Sequence, residues 1–273
     1  MKLKKINTAV TRRIAGEKNL YLVFDYDGTL TPIVSQPSQA RLASGVRKML
    51  EDLSGMPGIK VTVLSGRSLS DVEALVGLDS LDYVGNHGLE RKIQGRVSLG
   101  PHALQFQEFI AGLTQKLKRS LKHIPGVLVE DKIYSLSVHY RNVGAKNILK
   151  IHAIFQKAWE EFSAKVFFRI RPGKKVWEVR PAYGCSDKGE ALRFLSGSVA
   201  KAQRKEWALV YVGDDVTDED AFKALKKSDF PIRVGSGLRT AARYSLKSPA
   251  EVAVFLKQLI EARKRIFPGH VQR

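Results

Sequence analysis

The stretch Leu20-Tyr21-Leu22-Val23-Phe24-Asp25-Tyr26-Asp27-Gly28-Thr29-Leu30 decides the fold. Its unbroken apolar start, Leu20 to Phe24, reads as a strand buried on both faces, the pattern of a parallel sheet covered by helices. The run stops on two carboxylates one residue apart. Successive strand residues point to opposite sides, so Asp25 and Asp27 share a site only if the backbone curls after the strand, and Gly28 permits that curl. Such a pair can hold a hard cation. It can also divide the labour, one carboxylate acting as nucleophile and the other trading a proton with a leaving group. Asp and Gly after a strand equally suit a plain turn.

Working outward, a second apolar run, Trp207 to Val212, leads into Gly213, Asp214 and Asp215, then Thr217, Asp218, Glu219 and Asp220. Two strands that end in carboxylates bring their loops to one edge of a parallel sheet, where open α/β folds bind ligands. Asp214 and Asp215 then face Asp25 and Asp27. So much negative charge calls for a cation, and oxygen-only ligands with room for water suit Mg²⁺ better than zinc. Asp218 to Asp220 also suit a solvated first turn of a helix carrying Ala221, Phe222 and Leu225. A third run, Ile59 to Leu64, ends at Ser65, Gly66 and Arg67, where a hydroxyl beside exposed amides makes a cradle for phosphoryl oxygens. Ser186, Asp187, Lys188 and Gly189 open a helical pattern over Glu190 to Leu195. Lys188 can reach the site from there as a compact positive charge, although a lysine in a first turn is ordinarily solvated.

Taken in chain order, Asp25-Tyr26-Asp27-Gly28-Thr29, Ser65, Lys188 and Gly213-Asp214-Asp215 resemble the haloacid dehalogenase (HAD) superfamily of phosphohydrolases, and Asp27 is similar to the second aspartate of its phosphatase and mutase branch. Glu130, Lys132, Ser135, His139, Tyr140 and Arg141, then Glu178, Arg180 and Pro181, and the run Gly213 to Asp220 narrow this: they resemble the trehalose-6-phosphate phosphatase family, over about Leu20 to Ala253. The resemblance implies an α/β fold, with a Rossmann-like parallel-sheet HAD core and an inserted smaller α+β cap domain. It implies a Mg²⁺-dependent phosphatase that converts trehalose 6-phosphate to trehalose and phosphate through an aspartyl phosphate on Asp25, with Asp27 as general acid and base. Asp25 and Asp214 side chains and the backbone carbonyl of Asp27 are the implied metal ligands. Ser65 and Lys188 are expected on the phosphoryl oxygens, and Asp215 and Asp218 behind them, orienting metal waters or Lys188. In the cap, Glu130, Lys132 and Glu178 are expected at the hydroxyls of the distal glucose. Gly66, Arg67, His87 and Arg141 complete the expected substrate-binding set.

Between Gly88 and Lys188 the strand-helix alternation gives way to a separate block. Helical patterns cover Phe106 to Lys122 and Asn147 to Phe162, and strand patterns cover Val127 to Val129, Leu136 to Tyr140, Val166 to Ile170 and Lys175 to Arg180. Arg171-Pro172-Gly173 reads as the turn of the last pair. This places a cap at 104–183 and a discontinuous core at 1–103 and 184–273. Glu130 and Lys132 share one face of a strand, where a surface salt bridge would be the ordinary reading.

At 273 residues the chain has apolar content for a core plus a cap. The single cysteine, Cys185, excludes an internal disulfide and suits a reducing compartment, so a cytoplasmic location is expected. No apolar stretch is long enough to span a bilayer, and Met1 to Lys5 is basic with no apolar signal region behind it; Met1 to Lys18 reads as a short basic helix on the core, and Phe267 to Arg273 as a tail. The length leaves no room for a fused glycosyltransferase, so any trehalose-6-phosphate synthase is expected as a separate protein. A net charge of +19 can steer an anionic sugar phosphate or attract nucleic acid. The lysines and arginines of sets such as Lys116, Lys118, Arg119 and Lys122 are spaced as solvated helix faces, without interleaved aromatics, which speaks against nucleic acid. Three rivals remain: a phosphatase of the same fold for sucrose phosphate or a glucosyl or mannosyl glycerate phosphate, a sugar-phosphate scaffold or sensor without hydrolysis, and, less favoured, a non-catalytic nucleic-acid-binding protein on this fold.

Overall fold

The computed structural model describes residues 3–100, 103–162, 167–182, 187–203, 206–236 and 239–268, with residues 199–203 as backbone only. The chain forms two compact units, Met1–Ser98 with Asp187–Arg273, and Leu99–Ser186.

The first unit begins with β1 (Lys4–Lys5), α1 (Thr8–Gly16), β2 (Leu20–Phe24), α2 (Ser44–Ser54), β3 (Ile59–Leu64), α3 (Leu69–Val76), β4 (Asp82–Gly85), β5 (Glu90–Ile93) and β6 (Arg96–Leu99). The second unit supplies α4 (Ala103–Leu121), β7 (Leu128–Asp131), β8 (Leu136–His139), α5 (Ala145–Glu160), β9 (Phe168–Gly173) and β10 (Val176–Pro181). The chain then returns to the first unit through α6 (Lys188–Gln203), β11 (Ala208–Gly213), α7 (Asp218–Ala224), β12 (Phe230–Val234), β13 (Tyr244–Leu246) and α8 (Pro249–Ile266).

These strands form a nine-stranded sheet in the order β1-β13-β12-β11-β2-β3-β4-β5-β6. From β2 the chain steps outward through β3 and β4; after its return it steps the other way through β11, β12 and β13. The strand order therefore reverses between β2 and β11, which pair in parallel from Ala208↔Leu20 to Val212↔Phe24. A crevice at such a reversal, beyond the carboxyl ends of the strands, is where open α/β sheets bind ligands. The sheet is mixed, not wholly parallel: β5 runs antiparallel to β4. The short connection Asn86–Gly88 is a tight reversal, which suffices for an antiparallel neighbour and not for a crossover.

Both faces of the sheet are covered, which is why β2 is apolar throughout. Leu20, Leu22 and Phe24 pack with α1, α2, α3 and α8 residues such as Ile14, Leu50, Val72 and Phe255. Tyr21 and Val23 pack on the opposite face with Leu192 and Leu195 of α6 and Phe222 of α7. Of the N-terminal basic segment expected as a helix, Lys4–Lys5 instead form β1, and the helix α1 covers only Thr8–Gly16, capped by Asn7, whose side chain accepts from Val10 N–H at 3.0 Å.

The second unit has its own antiparallel sheet, β7-β8-β10-β9. Val129, Leu136, Val138, Val179 and Phe168 join Phe106, Leu113, Ile151 and Phe155 of α4 and α5 in one apolar cluster. Period-two alternation then puts Glu130, Ser137 and Glu178, paired as Glu130↔Ser137 and Glu178↔Ser137, on the face away from the helices. Arg171-Pro172-Gly173 belongs to β9, and the turn falls at Lys174-Lys175 instead. Pro172 is tolerated there because β9 is the last strand of this sheet, where a missing N–H need break no ladder. Val166 and Cys185 lie outside the described residues.

Candidate active site

The site at the β2/β11 reversal is assembled by backbone first. Asp25 N–H donates to Val212 O at 2.9 Å, so the residue after β2 is fixed to the end of β11. Gly28 then takes a φ of +87°, and a Cβ there would lie 2.3 Å from Asp214 Oδ2. Only glycine fits a turn that is left-handed and so close to a carboxylate. Lys188, the first residue of α6, brings its Nζ to 2.6 Å from Asp25 Oδ1 and 2.7 Å from Asp218 Oδ1. Asp218 opens α7 and is held from three sides: Tyr211 OH donates to Oδ1 at 2.7 Å and Asp215 N–H to Oδ2 at 2.8 Å, besides the lysine. Asp218 is thus buried, not the solvated first-turn residue its position allows.

Asp25, Asp214 and Asp218 each offer an oxygen within 4.8 Å of the other two. Three buried carboxylates and one ammonium lie together here. Burial pushes Asp25 well above the ordinary carboxyl range, opposed by Lys188 and aided by the charges of Asp218 and Asp214. Asp218 is also penalised by burial, but its lysine, tyrosine and backbone partners win and hold it below that range. Burial would lower Lys188, and the charges of Asp218 and Asp25 outweigh it, so the lysine stays cationic. An all-oxygen, buried cluster fits a hard cation. Asp218 already accepts from three donors, so Asp25 and Asp214 are the better candidates for ligands.

On the other side of Asp25, Asp27 is gripped by Arg67, with Nε 2.7 Å from Oδ2 and Nη2 2.8 Å from Oδ1. Ser65 Oγ accepts from Arg67 N–H at 3.1 Å, which leaves its hydroxyl proton to donate. His87 lies on a turn in which Asn86 (φ +47°) and His87 (φ +57°) are both left-handed. Its ring fills the space where a Cβ on Gly66 would stand, 2.6 Å from Cε1. The turn is held by buried Glu90, which accepts from Asn86 Nδ2 at 2.5 Å and Leu69 N–H at 3.0 Å.

In the second unit, Lys132 Nζ lies 3.9 Å from Glu130 and 3.4 Å from Glu178. His139 Nε2 is 2.7 Å from Glu130 Oε2, and Ser137 Oγ donates to Glu178 Oε1 at 3.4 Å. Lys132 is buried, so this is not a solvated surface salt bridge. Arg141 lies elsewhere on the unit's polar contacts, donating to Lys174 O at 3.0 Å.

A trehalose-phosphatase family profile matches residues 23–250, which spans every site residue named above. The chain belongs to the trehalose-phosphatase family. It is 36% identical over 272 residues to probable trehalose-phosphate phosphatase 2 of Oryza sativa subsp. japonica, covering 90% of this chain and 69% of the relative. The C-terminal domain of C. albicans trehalose-6-phosphate phosphatase superposes with a TM-score of 0.77 at 25% identity, over 95% of this chain and 99% of that one. A haloacid dehalogenase-like hydrolase from Bacteroides thetaiotaomicron, 15% identical with a TM-score of 0.60 over 92% and 100% of the two chains, shares the fold.

Within this trehalose-phosphatase site, sequence reasoning passed over Tyr211, Arg233 and Asp71. Arg233 donates to Asp214 O at 3.1 Å and to Glu219 Oε1 at 2.7 Å, tying the acidic loop to β12. Its signal was available: a lone guanidinium inside the apolar strand Phe230–Val234. Tyr211 had none, because its ring reads as core. Asp215 side chain does not join the buried acidic cluster; it contributes its backbone N–H to Asp218.

Proposed function

We propose that this chain hydrolyses the phosphate monoester of trehalose 6-phosphate, with Mg²⁺, in two steps. The observation that carries the reading is Lys188 bridging Asp25 and Asp218 in a buried site whose sequence the trehalose-phosphatase family matches.

A carboxylate approaching a phosphate meets a repulsion of about 4 kcal/mol per charge pair in a partly screened site. Lys188 offsets it. Two of its three N–H donors hold Asp25 and Asp218, and the third is left for a phosphoryl oxygen, with the Ser65 hydroxyl on another. Asp25 and Asp214, with the carbonyl of Asp27, would hold Mg²⁺, which when bound withdraws charge from the phosphoryl group. Asp25 attacks phosphorus as the bond to the sugar oxygen breaks, and Asp27 gives that oxygen its proton. Water then attacks the aspartyl phosphate, Asp27 takes the water's proton, and Asp25 is released. Glu130, Lys132 and Glu178 contact hydroxyls of the distal glucose: carboxylates accept sugar hydroxyl hydrogens, and the lysine donates.

The test is phosphate release from trehalose 6-phosphate beside sucrose 6-phosphate, glucose 6-phosphate and an aryl phosphate, in Mg²⁺ and in excess chelator. Mg²⁺-dependent preference for trehalose 6-phosphate is expected. Preference for another sugar phosphate would refute the substrate, and turnover undiminished by chelator would refute the metal.

A further inference from the structure

The sequence places Arg67 at the substrate, yet four of the five N–H donors of its guanidinium are already engaged. Of five N–H donors, Nε and Nη2 hold both oxygens of Asp27, Nη1 holds Asp71 Oδ2 at 2.6 Å, and the second Nη2 proton goes to Pro37 O at 2.7 Å. The guanidinium also lies over the Tyr26 ring, 5.5 Å from its centroid. The Arg67 side chain is 5% exposed, whereas that of Asp27 is 40% exposed. The arginine therefore grips Asp27 from the protein side and leaves the carboxylate's outer edge open. Two parallel N–H···O bonds fix a carboxylate plane as well as its position, which a lysine cannot do.

Resting on the function proposed above, we propose that Arg67 is a positioning residue and not a substrate contact: braced by Asp71 and Pro37 O, it sets the plane of the Asp27 carboxylate for both proton transfers. The two transfers differ in how far they need Asp27. A sugar alkoxide leaves only with a proton, whereas a nitrophenolate leaves without one; hydrolysis of the aspartyl phosphate needs the base whatever the substrate.

The experiment compares Arg67→Gln, Arg67→Lys and Asp71→Asn with the wild type on trehalose 6-phosphate and 4-nitrophenyl phosphate, in the steady state and in the first turnover. Arg67→Gln is expected to cut kcat on trehalose 6-phosphate by roughly 10²- to 10³-fold, within the range for lost general acid-base catalysis, with KM little changed. Its first-turnover release of nitrophenolate is expected to stay near the wild-type rate while the steady state falls. Arg67→Lys restores little, and Asp71→Asn gives the same pattern more weakly. A raised KM with kcat unchanged would make Arg67 a substrate contact and overturn the proposal. An equal loss of nitrophenolate release in the first turnover would make its role merely structural and overturn it too. Should Arg67→Gln fail to fold, Asp71→Asn, 39% exposed, carries the same two comparisons. Wild-type turnover of trehalose 6-phosphate in the same series tests the function separately.

Discussion

Lys188 and Asp218 form a 2.7 Å ion pair in which neither side chain meets solvent, and the same ammonium stands 2.6 Å from Asp25. A charge so placed stabilises only what comes between those carboxylates. Lys188→Ala is expected to lower kcat by roughly 10²- to 10³-fold, the scale of one lost preorganised donor. Asp218→Asn keeps the shape and removes the countercharge, so a smaller fall is expected. Phosphate release at saturating substrate measures both.

Holding the oxygens of Asp25, Asp214 and Asp218 within 4.8 Å of one another makes the folded state a better metal ligand than the unfolded chain. Mg²⁺ at one hundred times its Kd should therefore raise stability by about 2.7 kcal/mol. Thermal unfolding with and without Mg²⁺ is expected to show an upward shift in the wild type and little shift in Asp214→Asn. An equal shift in both would place the metal elsewhere.

Gly28→Ala puts a methyl group 2.3 Å from Asp214 Oδ2 in a backbone conformation that L side chains rarely adopt. Strain of about 1–3 kcal/mol is expected in the folded state, with the loop displaced from Asp214. Denaturant unfolding should show the loss, and activity should fall further than the stability alone explains.

Glu178→Gln keeps the shape of the side chain beside Lys132 and Ser137 but weakens it as an acceptor. If it meets a sugar hydroxyl, kcat/KM on trehalose 6-phosphate falls by about ten- to a hundredfold, the value of roughly 1.5–3 kcal/mol for a hydrogen bond to a charged group. Turnover of an aryl phosphate is expected to be unchanged. Parallel loss on both substrates would count against a sugar contact.

Burial pushes Glu90 above its ordinary value of 4.5, against hydrogen bonds from Leu69 N–H and the Asn86 amide. The folded state therefore holds this proton more tightly than the unfolded chain does. The stability it contributes is present below about pH 4.5 and is lost as pH rises through the folded value, above which the difference is constant. Gln at this position keeps an acceptor and does not titrate. The melting temperature of the wild type relative to Glu90→Gln is expected to fall as pH climbs through this window, and a rise would reverse the assignment.

The strand Leu20–Phe24 is legible residue for residue because burial on both faces leaves an unbroken apolar run, and Ile59–Leu64 because Ile59, Val61, Val63 and Leu64 keep the strand pattern around Lys60 and Thr62. Asp25, Asp27 and Asp214 are legible as carboxylates at or just beyond such strand ends and Lys188 as a lysine at a helix start, and the structure brings Lys188 to Asp25. Less visible were groups defined by partners far away in sequence. Asp71 reads as an ordinary first-turn carboxylate until Arg67 is seen beside it. Asp218 reads by local pattern alone as a solvated first-turn residue; the resemblance sets it behind Lys188, and the structure has Lys188 and Tyr211 both bonded to it. Arg171-Pro172-Gly173 misled because proline and glycine mark turns by local propensity, whereas the sheet's last strand accepts proline. Among the described residues no helix is long and apolar enough to cross a membrane.

Because β11 lies between β2 and β12, the sheet cannot close at its centre until the chain has returned from the second unit. Asp25 and Lys188 are separated by 163 residues. Loop-closure entropy grows slowly with length, so this distance costs little stability, but folds rich in contacts of such long range form more slowly. A nascent chain that has delivered β2, β3 and β4 carries Asp25 with neither Lys188 nor the second acidic loop. The cluster of Asp25, Lys188 and Asp214 is thus complete only when the two halves of the sheet meet, so its assembly is tied to completion of the fold.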